Sequence, residues 1–160
     1  MRPAGPVRLA LAGPMGAGKS TVGRLLAARW SVPFVDLDAA IGDIPVIFAA
    51  EGEAGFRRRE REMLARLVEG EGVLALGGGT VVDPANRALL DGWRVVVLMG
   101  APSTLRARIG DGPGRPLAAN LEALLGARAE AWRAAGPRVD TDGLGPDAVA
   151  DRVEELCASR

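Results

Sequence analysis

Gly13-Pro14-Met15-Gly16-Ala17-Gly18-Lys19-Ser20 satisfies the pattern G-x-x-x-x-G-K-[ST] without mismatch, and each residue type in it has work to do around a phosphate. Glycines let backbone N–H groups turn inward around an anion, and a helix beginning near Gly18 directs the positive end of its dipole at the same point. Lys19 would neutralise charge on the β- and γ-phosphates of a nucleoside triphosphate, and Ser20 would offer a hydroxyl ligand to one magnesium ion. Nucleotide contacts are therefore expected from Gly13, Met15, Gly16, Ala17, Gly18, Lys19, Ser20 and Thr21. The bland alternative is a glycine turn before a helix, and the strand and helix patterns on either side argue against it. Such a loop does not by itself separate kinases from GTPases, ATPases or transporters, so the acceptor side must be sought elsewhere.

Asp36 and Asp38 follow the short apolar run Phe34-Val35. In an extended segment, residues two apart point to the same side, and ligands of open α/β sheets gather at the carboxyl ends of strands. One acid could hold magnesium or its water shell while the other orients and deprotonates an alcohol. The same pair would equally serve as the N-cap and first-turn acid of a helix starting at Ala39. Arg57, Glu60 and Arg61 share a helical face at i, i+3 and i+4. An arginine backed by a glutamate suits a bidentate grip on a carboxylate, and a solvated charged face is the alternative. Gly77-Gly78-Gly79 ends the run Val73 to Leu76, where glycines permit close backbone approach to a ligand or simply a flexible turn.

The elements that must position these residues alternate along the chain. Apolar runs at 7–12, Phe34-Val35, 73–76, 95–98 and Arg138-Val139 read as strands, separated by helical candidates at 19–30, 55–69, 84–90, 102–109, 121–135 and 146–158. Three of those helices begin with proline, which suits a first turn. This alternation predicts an α/β fold, a parallel sheet covered on both faces. Gly110-Asp111-Gly112-Pro113-Gly114 is too rich in glycine and proline for regular structure, and with Arg115 it reads as a lid over about 110–119. At 160 residues the chain is expected to form a single domain, 1–160.

Composition removes several classes of function. The 20 basic and 20 acidic residues cancel, so no overall field draws the protein to nucleic acid or to an anionic membrane. Lys19 is the only lysine, there is no histidine, and Cys157 is the single cysteine. Histidine-based triads, zinc sites and internal disulfides are excluded, which suits a reducing cytoplasm. No apolar run approaches the ~18 residues a membrane helix needs.

Taken in succession, Asp36-x-Asp38, Gly52 to Glu60 as Gly-Glu-x-x-Phe-Arg-x-x-Glu, Leu76 to Gly79, Arg115-Pro116-Leu117, and Arg128 ahead of Trp132 resemble shikimate kinase over nearly the whole chain. The resemblance implies a three-layer α/β/α P-loop fold with a five-stranded parallel sheet in the order 2-3-1-4-5, and phosphorylation of the 3-hydroxyl of shikimate by ATP. By it, Asp38, Arg57, Gly78, Gly79 and Arg128 hold the acceptor with Glu60 in support, and Gly77 belongs to the same glycine stretch. Asp38 is then the base, with Lys19 and Arg115 completing the catalytic set. Asp36 joins Ser20 around magnesium, while Arg108, Arg115 and Pro146 contact the nucleotide. The acceptor segment is placed at about 36–62, and the enzyme is expected to act as a cytoplasmic monomer.

This chain departs from the family between Asp38 and Phe48, where the stretch is short and Pro45 is expected to limit helix. Trp132 also stands where tyrosine is common. A kinase for another carbocyclic or sugar acid, such as gluconate, and a nucleotide-binding paralogue without catalysis are the competing expectations.

Overall fold

The computed structural model describes residues 2–109 and 120–159. Five parallel strands, β1 (Arg8–Ala12), β2 (Phe34–Asp36), β3 (Gly72–Ala75), β4 (Arg94–Met99) and β5 (Arg138–Asp140), form one sheet in the order β2-β3-β1-β4-β5. The central strand β1 sets Leu9 beside Val73 on one flank and Arg94 on the other. Among the described residues seven α-helices accompany the strands: α1 (Lys19–Trp30), α2 (Leu37–Ile41), α3 (Ile44–Leu67), α4 (Pro84–Leu89), α5 (Pro102–Ile109), α6 (Leu121–Ala135) and α7 (Pro146–Ala158).

Strand side chains alternate between two cores, which is why the runs read as continuously apolar. Leu9, Leu11, Val73, Val96 and Leu98 pack with Leu26 and Trp30 of α1, Leu105 of α5 and Val149 and Val153 of α7. Ala10, Ala12, Leu74, Val95 and Val97 face the other way, onto Leu37, Leu64, Trp93 and Trp132. The fold and strand order are those expected from the sequence.

Helix ends explain where the acceptor segment differs from expectation. Asp36 caps α2, its Oδ1 accepting from the Ala39 amide at 3.2 Å, so Asp38 lies in a first helical turn and not on an extended strand. Helix α3 starts at Ile44, well before the expected residue 55, because Asp43 caps it through the Val46 amide at 3.3 Å. Pro45 therefore does not limit helix: it occupies the first turn, where its missing N–H has no partner to lose. At Gly52 the backbone adopts φ 70°, ψ −174°, a conformation essentially reserved for glycine, and α3 kinks there into two helical halves. The kink returns the Ile44–Glu51 half over the site while the second half packs Phe56 and Leu64 inward.

Candidate active site

The phosphate loop connects β1 to α1, and Gly18 precedes the helix in a left-handed conformation, φ 94°. Lys19 Nζ donates to the carbonyl oxygens of Gly13 at 2.6 Å and Pro14 at 3.0 Å. Burial of the ammonium lowers its pKa to about 8, opposed by the nearby carboxylates of Asp38 and Asp36 and assisted by Arg128. Ser20 Oγ donates to Asp36 Oδ2 at 2.5 Å. Asp36 thus caps α2 with one oxygen and accepts from the loop serine with the other.

Asp38 stands at the junction of two pockets. Its Oδ1 is buried without a hydrogen-bond partner among the described residues. Burial, then Asp36 and Glu60, push its pKa above the ordinary carboxylate value, while Lys19 and Arg57 pull it down. A carboxylate so placed is a better proton acceptor than a solvated one.

One pocket, of about 450 Å³, is lined by Met15, Gly16 and Gly18 to Thr21 of the loop together with Asp36, Asp38, Gly78 and Arg108. The other, of about 200 Å³, contains Asp38, Arg57, Glu60, the triple glycine and Arg128. Met15, Asp38 and Gly78 belong to both, so the acids and the glycines lie on the same side of the sheet as the phosphate loop.

Within the smaller pocket two guanidinium groups converge on Gly79. A Cβ built there would lie 2.7 Å from Arg57 Nη2 and 3.1 Å from Arg128 Nη2. Arg57 Nη1 donates to Glu60 Oε1 at 3.0 Å, and Glu60 is only 1% exposed. Arg128 makes no hydrogen bond or ion pair among the described residues; burial, and then the neighbouring Arg57, lower its pKa. Two half-buried cations that meet at Gly79, only one of them bonded to a buried carboxylate, leave positive charge for an anionic ligand to neutralise.

A third cavity, of about 200 Å³, lies between Gly18, Thr21, Arg108, Thr141, Leu144 and Pro146. Arg108 Nη1 donates to the Gly16 carbonyl at 3.2 Å and to Thr141 Oγ1 at 2.9 Å, tying the phosphate loop to the end of β5. Pro146 opens α7 at the rim of this cavity.

Of the charged helical face read from the sequence, Arg61 is not in the site. It turns away and its Nη2 donates to Asp83 Oδ2 at 2.8 Å. Arg115 and the 110–119 segment lie outside the described residues. Trp132 is buried in the core beneath the sheet and does not line the acceptor pocket.

The residues missed from sequence are mainly the apolar wall: Ile44, Phe48, Phe56, Ile109, Leu121 and Leu124. Ile44 and Phe48 stand at i and i+4, a spacing that carries meaning only with a helix start at Ile44, which Pro45 obscures in the sequence. Phe48 and Phe56 then meet across the Gly52 kink, ring centroids 5.0 Å apart.

A family model described as shikimate kinase matches residues 15–156. The chain belongs to the shikimate kinase family. The shikimate kinase of Halorhodospira halophila (strain DSM 244 / SL1) is 44% identical over 164 residues, covering 94% of this chain and 93% of that one. That of Stenotrophomonas maltophilia (strain K279a) is 51% identical over 116 residues; the match covers 68% of this chain and 64% of that relative, slightly under two thirds of its length. Among solved structures, a shikimate kinase from Acinetobacter baumannii in complex with shikimate superposes with a TM-score of 0.89 at 34% identity, covering 96% of this chain and 94% of that one. Membership in this family accords with the sheet order and with the phosphate loop between β1 and α1.

Proposed function

We propose that this protein transfers the γ-phosphoryl group of ATP to the 3-hydroxyl of shikimate, giving shikimate 3-phosphate and ADP. The observation that carries the reading is the convergence of Arg57 and Arg128 on Gly79, in a pocket that shares Asp38 with the phosphate loop. Two guanidiniums suit a planar carboxylate, and the apolar wall of Ile44, Phe48, Phe56 and Leu124 suits a carbocyclic ring face. That wall disfavours an open-chain polyol acid such as gluconate, which would bury hydroxyls against it. The assembled Lys19, Ser20, Asp36 and Asp38 disfavour a paralogue without catalysis.

In this reading Arg57 and Arg128 anchor the acceptor carboxylate, with Glu60 holding Arg57 in place. Asp38 accepts the proton of the 3-hydroxyl as its oxygen bonds to phosphorus, and the bond to the leaving oxygen of ADP breaks with the electron pair on ADP. Lys19 stabilises the charge that accumulates on the phosphates, and the backbone from Gly13 to Thr21 cradles them. Arg115, named for the transferring phosphate by resemblance alone, belongs to the same proposal, as do Arg108 and Pro146 at the adenine.

Ser20 Oγ and Asp36 Oδ2, joined at 2.5 Å beside the loop, are hard oxygen donors of the kind magnesium takes. Among the described residues no group of three or more carboxylate or cysteine ligands is present. That agrees with an ion held by one or two protein oxygens, phosphate and water. Ser20 and Asp36 would hold one ion, which when bound supplies charge neutralisation along the phosphates.

A monomeric enzyme belongs to the same proposal. Among the described residues no helix is long and apolar enough to cross a membrane, and the single cysteine is free. A cytoplasmic setting belongs to the same proposal, supported by the free cysteine. A coupled ADP-release assay with shikimate, quinate, gluconate and no acceptor tests the whole reading. Turnover should depend on shikimate; ADP release that is indifferent to the acceptor, or fastest with gluconate, would refute it.

A further inference from the structure

Glu60 has two partners, and only one of them faces the acceptor. Its Oε1 accepts from Arg57 at 3.0 Å, while Oε2 accepts from Thr80 Oγ1 at 2.9 Å. Thr80 is fully buried in a short 3-10 turn, Thr80–Val82, that follows the triple glycine. Its carbonyl oxygen in turn accepts from Asn86 Nδ2 of α4 at 2.9 Å, again in a buried setting. A continuous line of hydrogen bonds therefore runs from α4 through the turn to the Glu60 carboxylate and on to the guanidinium in the acceptor pocket.

A carboxylate held by one arginine three residues away on the same helix can swing about its terminal torsion, which is broad and soft. A second donor on the other oxygen fixes the plane of the group, and a hydroxyl bond to an ionised acceptor is among the stronger hydrogen bonds available. The hydroxyl also sits where two carboxylates approach each other. A Cβ at Gly77 would lie 2.9 Å from Asp38 Oδ1, 3.1 Å from Thr80 Oγ1 and 3.3 Å from Glu60 Oε2. The proton that Thr80 donates is thus committed to Glu60, leaving the Asp38 oxygen without a donor among the described residues.

We propose that Thr80, braced by Asn86, is a positioning residue for the acceptor's carboxylate: its hydroxyl fixes Glu60, and Glu60 aims Arg57 into the pocket. The proposal rests on the acceptor reading given above and adds a residue that never touches the acceptor. Because the effect passes through a guanidinium that meets only the carboxylate, it should vanish when the acceptor's carboxylate is neutralised.

Steady-state kinetics of the wild type, Thr80→Val, Thr80→Ala and Thr80→Ser, each with shikimate and with its methyl ester, test this. Thr80→Val should raise KM for shikimate about tenfold, with kcat and the KM for ATP within about twofold of wild type. Its KM for the ester should stay near the wild-type value, so the preference for free acid over ester drops about tenfold. Thr80→Ser, which keeps the hydroxyl, should restore the preference. Unchanged preference in Thr80→Val, or equal losses for acid and ester, would overturn the proposal. Where circular dichroism shows Thr80→Val unfolded, Thr80→Ala carries the same comparison. Loss of folding in both, with Thr80→Ser folded, would assign the hydroxyl to folding and overturn the proposal as well. A wild type that fails to distinguish acid from ester is a separate result: it removes the carboxylate reading, and this inference with it.

Discussion

Gly79→Ala separates acceptor binding from everything else the fold does. The backbone there has φ −108° and ψ 2°, which alanine can adopt, so the cost is not in the main chain. The added methyl meets side-chain tips: Arg57 Nη2 at 2.7 Å, Arg57 Nη1 at 3.0 Å and Arg128 Nη2 at 3.1 Å. Ordinary contact begins near 3.4 Å, so Arg57 must withdraw by roughly 0.7 Å, and an N–H···O bond near ~2.9 Å stretched by that much is no longer one. Hydrogen bonds to charged groups contribute about 1.5–3 kcal/mol each. Partial loss at two guanidiniums puts the penalty near 2–3 kcal/mol, roughly a 30- to 160-fold rise in KM for shikimate. Both arginine ends are flexible, so the melting temperature should move by only about 2–4 °C. Initial-rate kinetics with each substrate varied in turn, together with a thermal melt, measure this. A KM for shikimate within threefold of wild type, or equal rises for shikimate and ATP, would refute the placement of the two arginines around the acceptor.

Lys19, with its pKa lowered to about 8 by burial, starts to lose its proton near pH 8, and a bound polyphosphate favours the charged form. Nucleotide affinity should therefore hold below pH 8 and fall above it, with proton uptake on binding near pH 8–9; calorimetry in buffers of different ionisation enthalpy reads both. As the proposed base Asp38 must be deprotonated, and its pKa is raised, chiefly by burial. Turnover should accordingly be lost as pH falls through a point above the ordinary aspartate value, and Asp38→Asn should abolish that limb together with the activity. Gly52→Ala meets no neighbour within 4 Å, so its effect is pure backbone strain. It should cost about 1–3 kcal/mol in chemical denaturation and weaken acceptor binding by disturbing the kink, without altering nucleotide affinity.

The sequence by itself determined the sheet and the phosphate loop, because both depend on local pattern. Runs such as Val95 to Leu98 are apolar at every position only when both faces are covered, and the Gly13 to Ser20 spacing admits one geometry between strand and helix. Helices α6 and α7 have the bounds their periodicity indicated. Sequence failed where a local rule had two outcomes. Pro45 both forbids a helix interior and favours a helix start, and the capping bond of Asp43 selects the second. Asp36 could cap or ligate, and it caps with one oxygen while the other accepts from Ser20. The family resemblance singles out Arg57 and Arg128, and only the tertiary structure brings them together in one pocket and leaves Arg61 out. Arg57 and Arg61 share a helical face, yet Asp83 draws Arg61 outward while buried Glu60 holds Arg57 in place. It alone brought Thr80 to Glu60, 20 residues away, since a buried hydrogen bond between distant segments follows from packing and leaves no periodicity to read.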